Sequence, residues 1–431
     1  MNSIDYKKYT RVIVFVFTLL ILWPFFNSLS NSNDFEVFMG AAKRFQNNLE
    51  MYGGKVVYER YLHYYYSPLF TFLLQPFVSL PEYRFPADSL LPNILLSMLC
   101  AKLVWNTLNL FFIYRIIKII LGIFSFQKPS NRILFYSILI FLGYRWLHIN
   151  IRYGQLTIFL LFGILEAFCN PKANKWLKWW PMMIAINIKI LPIFMYVKLF
   201  FDKRYKVMIG IFLGVLFVTF IPWFFIDKAY FMRELISWLH AINPVQTSHV
   251  VQIGEGGFMD IGAILTKYFT SNKAPLEYYI YFAKMSVSQL FWLTQILRLA
   301  FLGAITFLIL EIKKIPQNKF SNYVQVSLVC IGIPLIFPHQ RDYSFAFFIP
   351  ALTVVVFYYL QNKTLFNTVQ KTFFFASLLF MGCLVFFEMF PIDTRSFIRG
   401  LRTQGIGGIL FAIGYFRLIY QLKDKELTGS F

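Results

Sequence analysis

Carboxylates are scarce in this chain, with 20 Asp and Glu against 41 Lys and Arg in 431 residues. Cysteine is scarcer. Cys100, Cys169, Cys330 and Cys383 all sit in apolar runs without a C-x-x-C pair, so neither a disulfide framework nor a thiolate zinc site is suggested. The histidines His63, His148, His240, His249 and His339 lack the H-x-x-x-H spacing that puts a pair of imidazoles on one helix face. No cofactor and no metal are therefore expected. Neither G-x-x-x-x-G-K-S/T nor G-x-G-x-x-G occurs, which leaves cytosolic nucleotide binding without a motif. No Ser elbow or Cys/His pairing proposes a hydrolase.

What the chain has in excess is apolar surface: 58% hydrophobic and 20% aromatic residues, with a mean hydropathy of +0.59. Soluble domains are roughly 45–50% apolar. A hydrocarbon core about 30 Å thick takes roughly 20 apolar residues per helical crossing. Apolar runs recur near 11–29, 92–124, 133–149, 155–170, 176–188, 190–201, 206–226, 288–312, 321–337, 343–360, 371–390 and 404–422. The expectation is an all-α integral membrane protein, a single polytopic domain over residues 1–431 with twelve transmembrane helices. No small-residue cleavage site follows the run from Arg11 to Leu29, which reads as a retained first span. Ser67 to Leu80, flanked by Pro68 and Pro81 and broken by Pro76, is too short for a comfortable crossing and reads as re-entrant.

A net charge of +21 in such a protein collects in cytoplasmic loops and at anionic headgroups, and no soluble basic module remains to bind nucleic acid. Lys7, Lys8 and Arg11 put the N-terminus on the cytoplasmic side of a plasma (inner) membrane. Lys172/Lys175/Lys178, Lys203/Arg204/Lys206, Lys313/Lys314/Lys319, Lys363/Lys371 and Lys423/Lys425 should share that side. The first pair of these clusters brackets Trp176 to Phe201. Keeping both inside requires a short helical hairpin with Lys189 and Pro192 near its outer apex. The alternative is one ordinary span with Lys189 buried in hydrocarbon, at a cost of about a few kcal/mol. With the hairpin, the outer face collects a first outer loop (30–66), Tyr144 to Gln155, Lys189, a long outer loop (227–287), Pro338 to Asp342 and Pro391 to Thr403. Phe231 to Ile242 and Gly257 to Phe269, in the long loop, have mixed helical patterning suited to the interface.

Asp34 follows the first span directly. It suits the N-cap of a helix-compatible stretch reaching Phe45, and it also suits a base working at the bilayer surface. Tyr52, Tyr58 and the run Tyr64 to Tyr66 follow, where aromatic residues commonly form an interfacial belt. The order of Asp34, then Tyr52, Gly53 and Tyr58, then Tyr65-Tyr66-Ser67-Pro68, then Tyr153-Gly154-Gln155, then Ile188-Lys189-Ile190-Leu191-Pro192, then Phe337-Pro338-His339 resembles glycosyltransferase family 87. These are polyprenyl-phosphate-sugar-dependent, mannosyltransferase-like enzymes of the GT-C superfamily. The resemblance implies a GT-C-like bundle whose extracytoplasmic first loop carries short interfacial helices, and it implies Asp34 as the catalytic base. Departures fall at Gly254-Glu255-Gly256-Gly257-Phe258-Met259-Asp260, where an Asn-Gln-Ser-like patch is expected, and at Gln340-Arg341-Asp342, where an aromatic usually follows the histidine.

An inverting transfer from a lipid phosphosugar needs a base for the acceptor hydroxyl and cations for the departing phosphate. Asp34 fits the first role. For the donor phosphate, His339 and Lys189 occupy motif positions, with Arg152 and Arg341 behind them; Arg grips phosphate oxygens through a planar fork, whereas Lys is a point charge. The bland alternatives are a helix-end histidine at the headgroups and a snorkelling Arg152. Gln155, Tyr66 and Glu255 are the candidate substrate contacts. Gln155 is otherwise a polar boundary residue, and Glu255 and Asp260 otherwise solvate a glycine turn. Glu36 would face away from Asp34 on a helix. The expected reaction moves a mannose-like hexose from a polyprenyl-phosphate donor to a hydroxyl of an envelope glycolipid or glycan, with membrane lipids as the remaining partners. Two rivals share the lipid-linked saccharide. A flippase would want mid-membrane charges and inverted repeats, for which only Lys102 and Lys189 offer material; a glycan ligase or polymerase would use the long outer loop.

Overall fold

A computed structural model describes residues 6–30, 34–52, 64–86, 94–126, 128–170, 174, 176–251, 257–270, 282–361, 366–382 and 390–422. Among these residues the structure is helical, with one isolated β-bridge between Arg84 and Leu95. Among the described residues eight helical segments are long and apolar enough to cross a membrane: Arg11–Ser30, Leu96–Leu121, Pro129–Arg152, Tyr205–Phe224, Val287–Lys313, Lys319–Ile336, Asp342–Gln361 and Thr403–Leu422. Of the other expected spans, Thr157–Cys169 has 13 residues, Trp180–Ile188 has 9 and Leu191–Phe201 falls below span length. Of the span expected near 371–390, the helix Thr368–Phe380 is described, with 13 residues, and residues 383–389 lie outside the described residues. At 1.5 Å per residue, a 13-residue helix reaches only about 20 Å, short of a hydrocarbon core of about 30 Å. Ser67 to Leu80 forms the short helices Pro68–Leu73 and Gln75–Val78, each opened by its proline, which lacks an N–H and so suits a first turn.

The chain packs as two compact units, one of residues 1–18, 120–147 and 244–431 and the other of residues 19–119 and 148–243. In the first, Lys319–Ile336 and Asp342–Gln361 are each 83% buried, as expected of helices apolar on all sides. Phe124 joins them to the chain around residue 124, with ring centroids 4.9 Å from Phe357 and 5.5 Å from Tyr323. Thr368–Phe380 lies along Thr403–Leu422, and the approach is close enough that a Cβ on Gly407 would meet the Ser377 carbonyl at 2.7 Å. Capping boxes at Ser286/Gln289, Asn318/Ser321 and Asn367/Gln370 satisfy the first N–H groups of three of these helices. The helix Ile261–Phe269 matches the pattern expected there.

In the second unit, Phe35–Gln46 is amphipathic, burying Phe35, Phe38 and Phe45 among other apolar residues. Phe38 packs edge-on to Tyr66 at 4.7 Å and to Phe70 at 5.2 Å. Within the apolar pair Leu96–Leu121 and Thr157–Cys169, Arg115 Nη2 donates to both oxygens of Glu166 at 2.8 and 2.9 Å, so this carboxylate is buried as an ion pair. In contrast, Tyr205–Phe224 is only 22% buried and leaves Phe212, Leu213 and Phe217 exposed, a surface suited to lipid. The helix Lys228–Ala241 stands where the long loop was patterned for one, N-capped by Asp227, whose Oδ1 accepts from Tyr230 N at 2.7 Å.

The segment from Trp176 to Phe201 is a hairpin. Helix Trp180–Ile188 ends at Lys189, which is extended (φ −147°, ψ 117°), and the chain resumes as a 3-10 turn Leu191–Met195 and a helix Tyr196–Phe201. Lys178 before it and Arg204 after it lie over the same Trp179 indole, at 5.1 and 5.4 Å from the ring centroid. One straight crossing would hold the ends of this segment roughly 30 Å apart or more. Lys178 and Arg204, on either side of it, therefore return to one place; Lys172 and Lys175 lie outside the described residues.

Candidate functional site

Asp34 opens the Phe35–Gln46 helix, but its side chain makes no capping bond there, and its backbone is already helical (φ −59°, ψ −16°). The capping explanation thus falls away. Its Oδ2 instead accepts a hydrogen bond from Gln155 Nε2 at 2.6 Å, across 121 residues of sequence. A carboxylate can only accept, so this bond fixes the orientation of the Gln155 amide. The other end of that amide, Oε1, then accepts from the Tyr66 hydroxyl at 3.4 Å. Gln155 and Tyr66 are buried and Asp34 is half-buried, which leaves the acid reachable at the end of a buried polar chain.

The Tyr153-Gly154-Gln155 motif has a backbone reason. The Pro129–Arg152 helix stops, Gly154 turns with φ +65°, and Gln155 N–H closes the turn on the Asn150 carbonyl at 2.8 Å. A Cβ at Gly154 would stand 3.0 Å from Phe35 Cδ2, directly beside Asp34. Glycine therefore both permits the left-handed turn and lets the first-loop helix approach. Gly154→Ala should cost about 1–2 kcal/mol from the left-handed strain alone, and it should displace Phe35 and lower activity further. Thermal denaturation read beside initial rates checks this; an alanine variant with parental stability and rate would contradict it.

Lys189 belongs to the same cluster. Its Nζ lies 5.4 Å from the Tyr66 ring centroid, and the residue is half-buried at the hairpin break. The break is pinned to the Tyr66-Ser67-Pro68 turn by Ser67 N–H donating to the Ile188 carbonyl at 3.3 Å and Ser67 Oγ donating to Asn187 Oδ1 at 3.0 Å. Asn187 Nδ2 in turn donates to Thr219 Oγ1 at 2.5 Å, inside a fully buried environment. Arg152 is half-buried, with its guanidinium 5.8 Å over the Tyr153 ring.

Lys228–Ala241 braces the first loop from another side. Trp238 Nε1 donates to the Tyr65 carbonyl at 3.3 Å and the Tyr52 hydroxyl to the Tyr66 carbonyl at 2.7 Å. Buried Glu234 accepts from Met51 N–H at 2.9 Å, and the Tyr230 hydroxyl donates to the Leu49 carbonyl at 2.8 Å. Burial raises the Tyr52 and Tyr64 phenols well above their ordinary range, with Tyr64, Glu234 and Tyr230 adding to the effect at Tyr52. Both stay protonated, so Tyr52 remains a donor to the backbone of the site.

His339 and Arg341 lie in the unit containing residues 244–431. His339 adopts φ +58° after Phe337-Pro338, a left-handed turn that histidine tolerates better than most side chains. Its ring stands edge-on to His249 at 4.7 Å and to Phe258 at 4.9 Å, while the Arg341 guanidinium lies 5.8 Å from the same Phe258 ring. Met259 N–H donates to the Gln340 carbonyl at 2.7 Å, tying the glycine-rich stretch to this turn. Asp342 accepts from Arg399 at 3.1 Å and pairs with buried Arg145 at 3.5 Å. Asp260 is no surface acid: fully buried, it caps Ile261–Phe269 and pairs with Arg298 at 3.4 Å. Arg402 and Lys267 add to the positive charge of this region, and burial lowers both below their ordinary range despite the pull of Asp260 on Arg402. Glu255 lies outside the described residues.

The sequence reading missed Asn187, Trp238, Arg145 and Arg399. Asn187 was visible as a polar residue inside an apolar run, two positions before Lys189; nothing local singled out the others. Glu36 is half-buried and interacts electrostatically with Lys102. Among the described residues no group of three or more His, Cys, Asp or Glu is placed to hold a metal ion.

This geometry gives a carboxylate fixed by an amide, with a lysine on the same aromatic residue, in a helical protein with eight segments able to cross a membrane. The model of glycosyltransferase family 87 matches residues 64–338, more than half of the sequence, and the chain belongs to that family. Tyr66, Arg152, Gln155, Lys189 and Glu255 fall inside the matched range; Asp34, His339 and Arg341 fall outside it. No curated protein and no solved structure matches the chain.

Proposed function

We propose that this glycosyltransferase is an inverting enzyme that moves a mannose-like hexose from a polyprenyl-phosphate sugar to a hydroxyl of an envelope glycolipid or glycan, on the extracytoplasmic face of the plasma (inner) membrane. Asp34 takes the proton of the acceptor hydroxyl as its oxygen bonds to C1. The bond from C1 to the phosphate oxygen breaks on the opposite side of the sugar ring, and polyprenyl phosphate departs with both electrons of that bond. Lys189 meets the charge of the leaving phosphate, with Arg152 adding positive charge nearby in sequence. His339 is assigned to the donor phosphate on the strength of motif order, and Arg341, where the chain departs from the family pattern, as a cation close behind it in sequence. Gln155 and Tyr66 hold the base and line the substrate; Glu255 keeps its assignment as an acceptor contact.

The observation that carries this reading is the 2.6 Å bond from Gln155 to Asp34. It joins a motif inside the matched family range to an acid outside it, and a positioned base is what acceptor activation requires. The test is transfer of labelled mannose from a polyprenyl-phosphate donor to a membrane extract by the purified protein. Covalent incorporation is expected. Label crossing a vesicle membrane without incorporation would replace transferase chemistry with transport. In the same assay Lys189→Gln should raise the donor KM roughly 10- to 100-fold, the worth of one hydrogen bond to a charged group; an unchanged KM would remove Lys189 from the phosphate site.

A further inference from the structure

Lys178 and Arg204, on either side of the hairpin, meet on one ring. Lys178 Nζ and Arg204 Cζ lie 5.1 and 5.4 Å from the centroid of Trp179, which is itself buried. Each contact is a cation–π interaction, and the two like charges are near enough for Arg204 to act electrostatically on Lys178. Among the described residues no carboxylate pairs with either. From Asn170 to Lys206 the chain carries eight Lys or Arg and the single acid Asp202, and that acid accepts from Lys198 at 3.0 Å. Burial and the neighbouring Arg204 both push the Lys178 amine below its ordinary range, in keeping with an uncompensated pair.

We infer that Lys178, Arg204 and Trp179 form a binding site for the phosphate of an anionic lipid headgroup. A phosphate between the two cations would neutralise their repulsion, with the Arg fork and the Lys point charge as its ligands. The surroundings favour a lipid over free phosphate: Trp176 is 83% exposed, Leu177 63%, Tyr205 49% and Trp180 41%. Exposed indoles and phenols beside cations are what a headgroup boundary selects, because their rings sit at the interface while acyl chains take the apolar flank. The site uses none of the residues assigned to glycosyl transfer.

The test is native mass spectrometry of the full-length protein released from nanodiscs of equal phosphatidylglycerol and phosphatidylcholine. The parent should retain phosphatidylglycerol preferentially, and Lys178→Gln and Arg204→Gln should each reduce that preference roughly fivefold, the effect of one surface cation. Arg204→Lys, which keeps the charge, should retain most of it and guards against a variant that merely misfolds. Equal retention of the two lipids by the parent, or an unchanged preference in the double glutamine variant, overturns the site. Displacement of phosphatidylglycerol by inorganic phosphate at matched concentration would overturn the lipid assignment and leave a free-phosphate site.

Discussion

Asp34→Asn in the purified enzyme should lower kcat for sugar transfer roughly 10²- to 10⁴-fold, the range that a positioned general base contributes, if Asp34 is the base proposed above. Stability should barely move. The asparagine Oδ1 can still accept from Gln155 Nε2, so the bond that is 2.6 Å in the parent keeps an acceptor and no buried donor is orphaned. Donor KM should also hold, because the proposed role of the residue is at the acceptor hydroxyl and not at the phosphate. Single-turnover rates with labelled donor, measured beside a melting curve, separate these effects. Full activity in Asp34→Asn would end the assignment of the base, whatever the stability.

Asp260→Ala is expected to have the largest effect on stability, about 3–5 kcal/mol. Asp260 is fully buried, and its Oδ1 accepts from Gly262 N–H at 3.0 Å, Ala263 N–H at 3.4 Å and Arg298 Nη2 at 3.4 Å. Removing it uncaps Ile261–Phe269 and strands the Arg298 guanidinium inside an apolar helix, and the stranded charge is the larger part of the cost. Two companion variants divide the terms. Asp260→Asn keeps a capping oxygen and should recover about 1 kcal/mol. Arg298→Met in the Asp260→Ala background removes the stranded charge and should recover most of the remainder. Chemical denaturation in detergent is the readout, and an Asp260→Ala midpoint matching the parent would show that the pair does not hold this unit together.

Much of the helical layout was legible because lipid leaves a chain few choices. A run of about 20 apolar residues in hydrocarbon must close its own backbone hydrogen bonds, so periodicity was not needed to find it. That argument has no force for shorter runs. Thr157–Cys169 is as apolar as the eight longer segments yet too short to be counted with them. Of the candidate site, Asp34, Tyr66, Gln155 and Lys189 were singled out and are found together; their motifs are short because each marks a turn or a helix start with a backbone requirement, as at Gly154. Asp260, by contrast, looked like a turn acid among glycines, and its ion pair depends on a helix that begins 27 residues later in the chain.

The sequence by itself determined a helical, apolar chain with a strong positive balance and its membership of one family of glycosyltransferases, whose model matches residues 64–338, since composition, run length and family likeness are properties of the chain alone. Tertiary structure alone decided that the Asp34 side chain is held by Gln155 and makes no capping bond to its helix, and that Lys178 and Arg204 close on Trp179. Each of these joins segments distant in sequence, and such meetings are set by how helices pack side by side, which no local pattern of apolar and polar residues specifies.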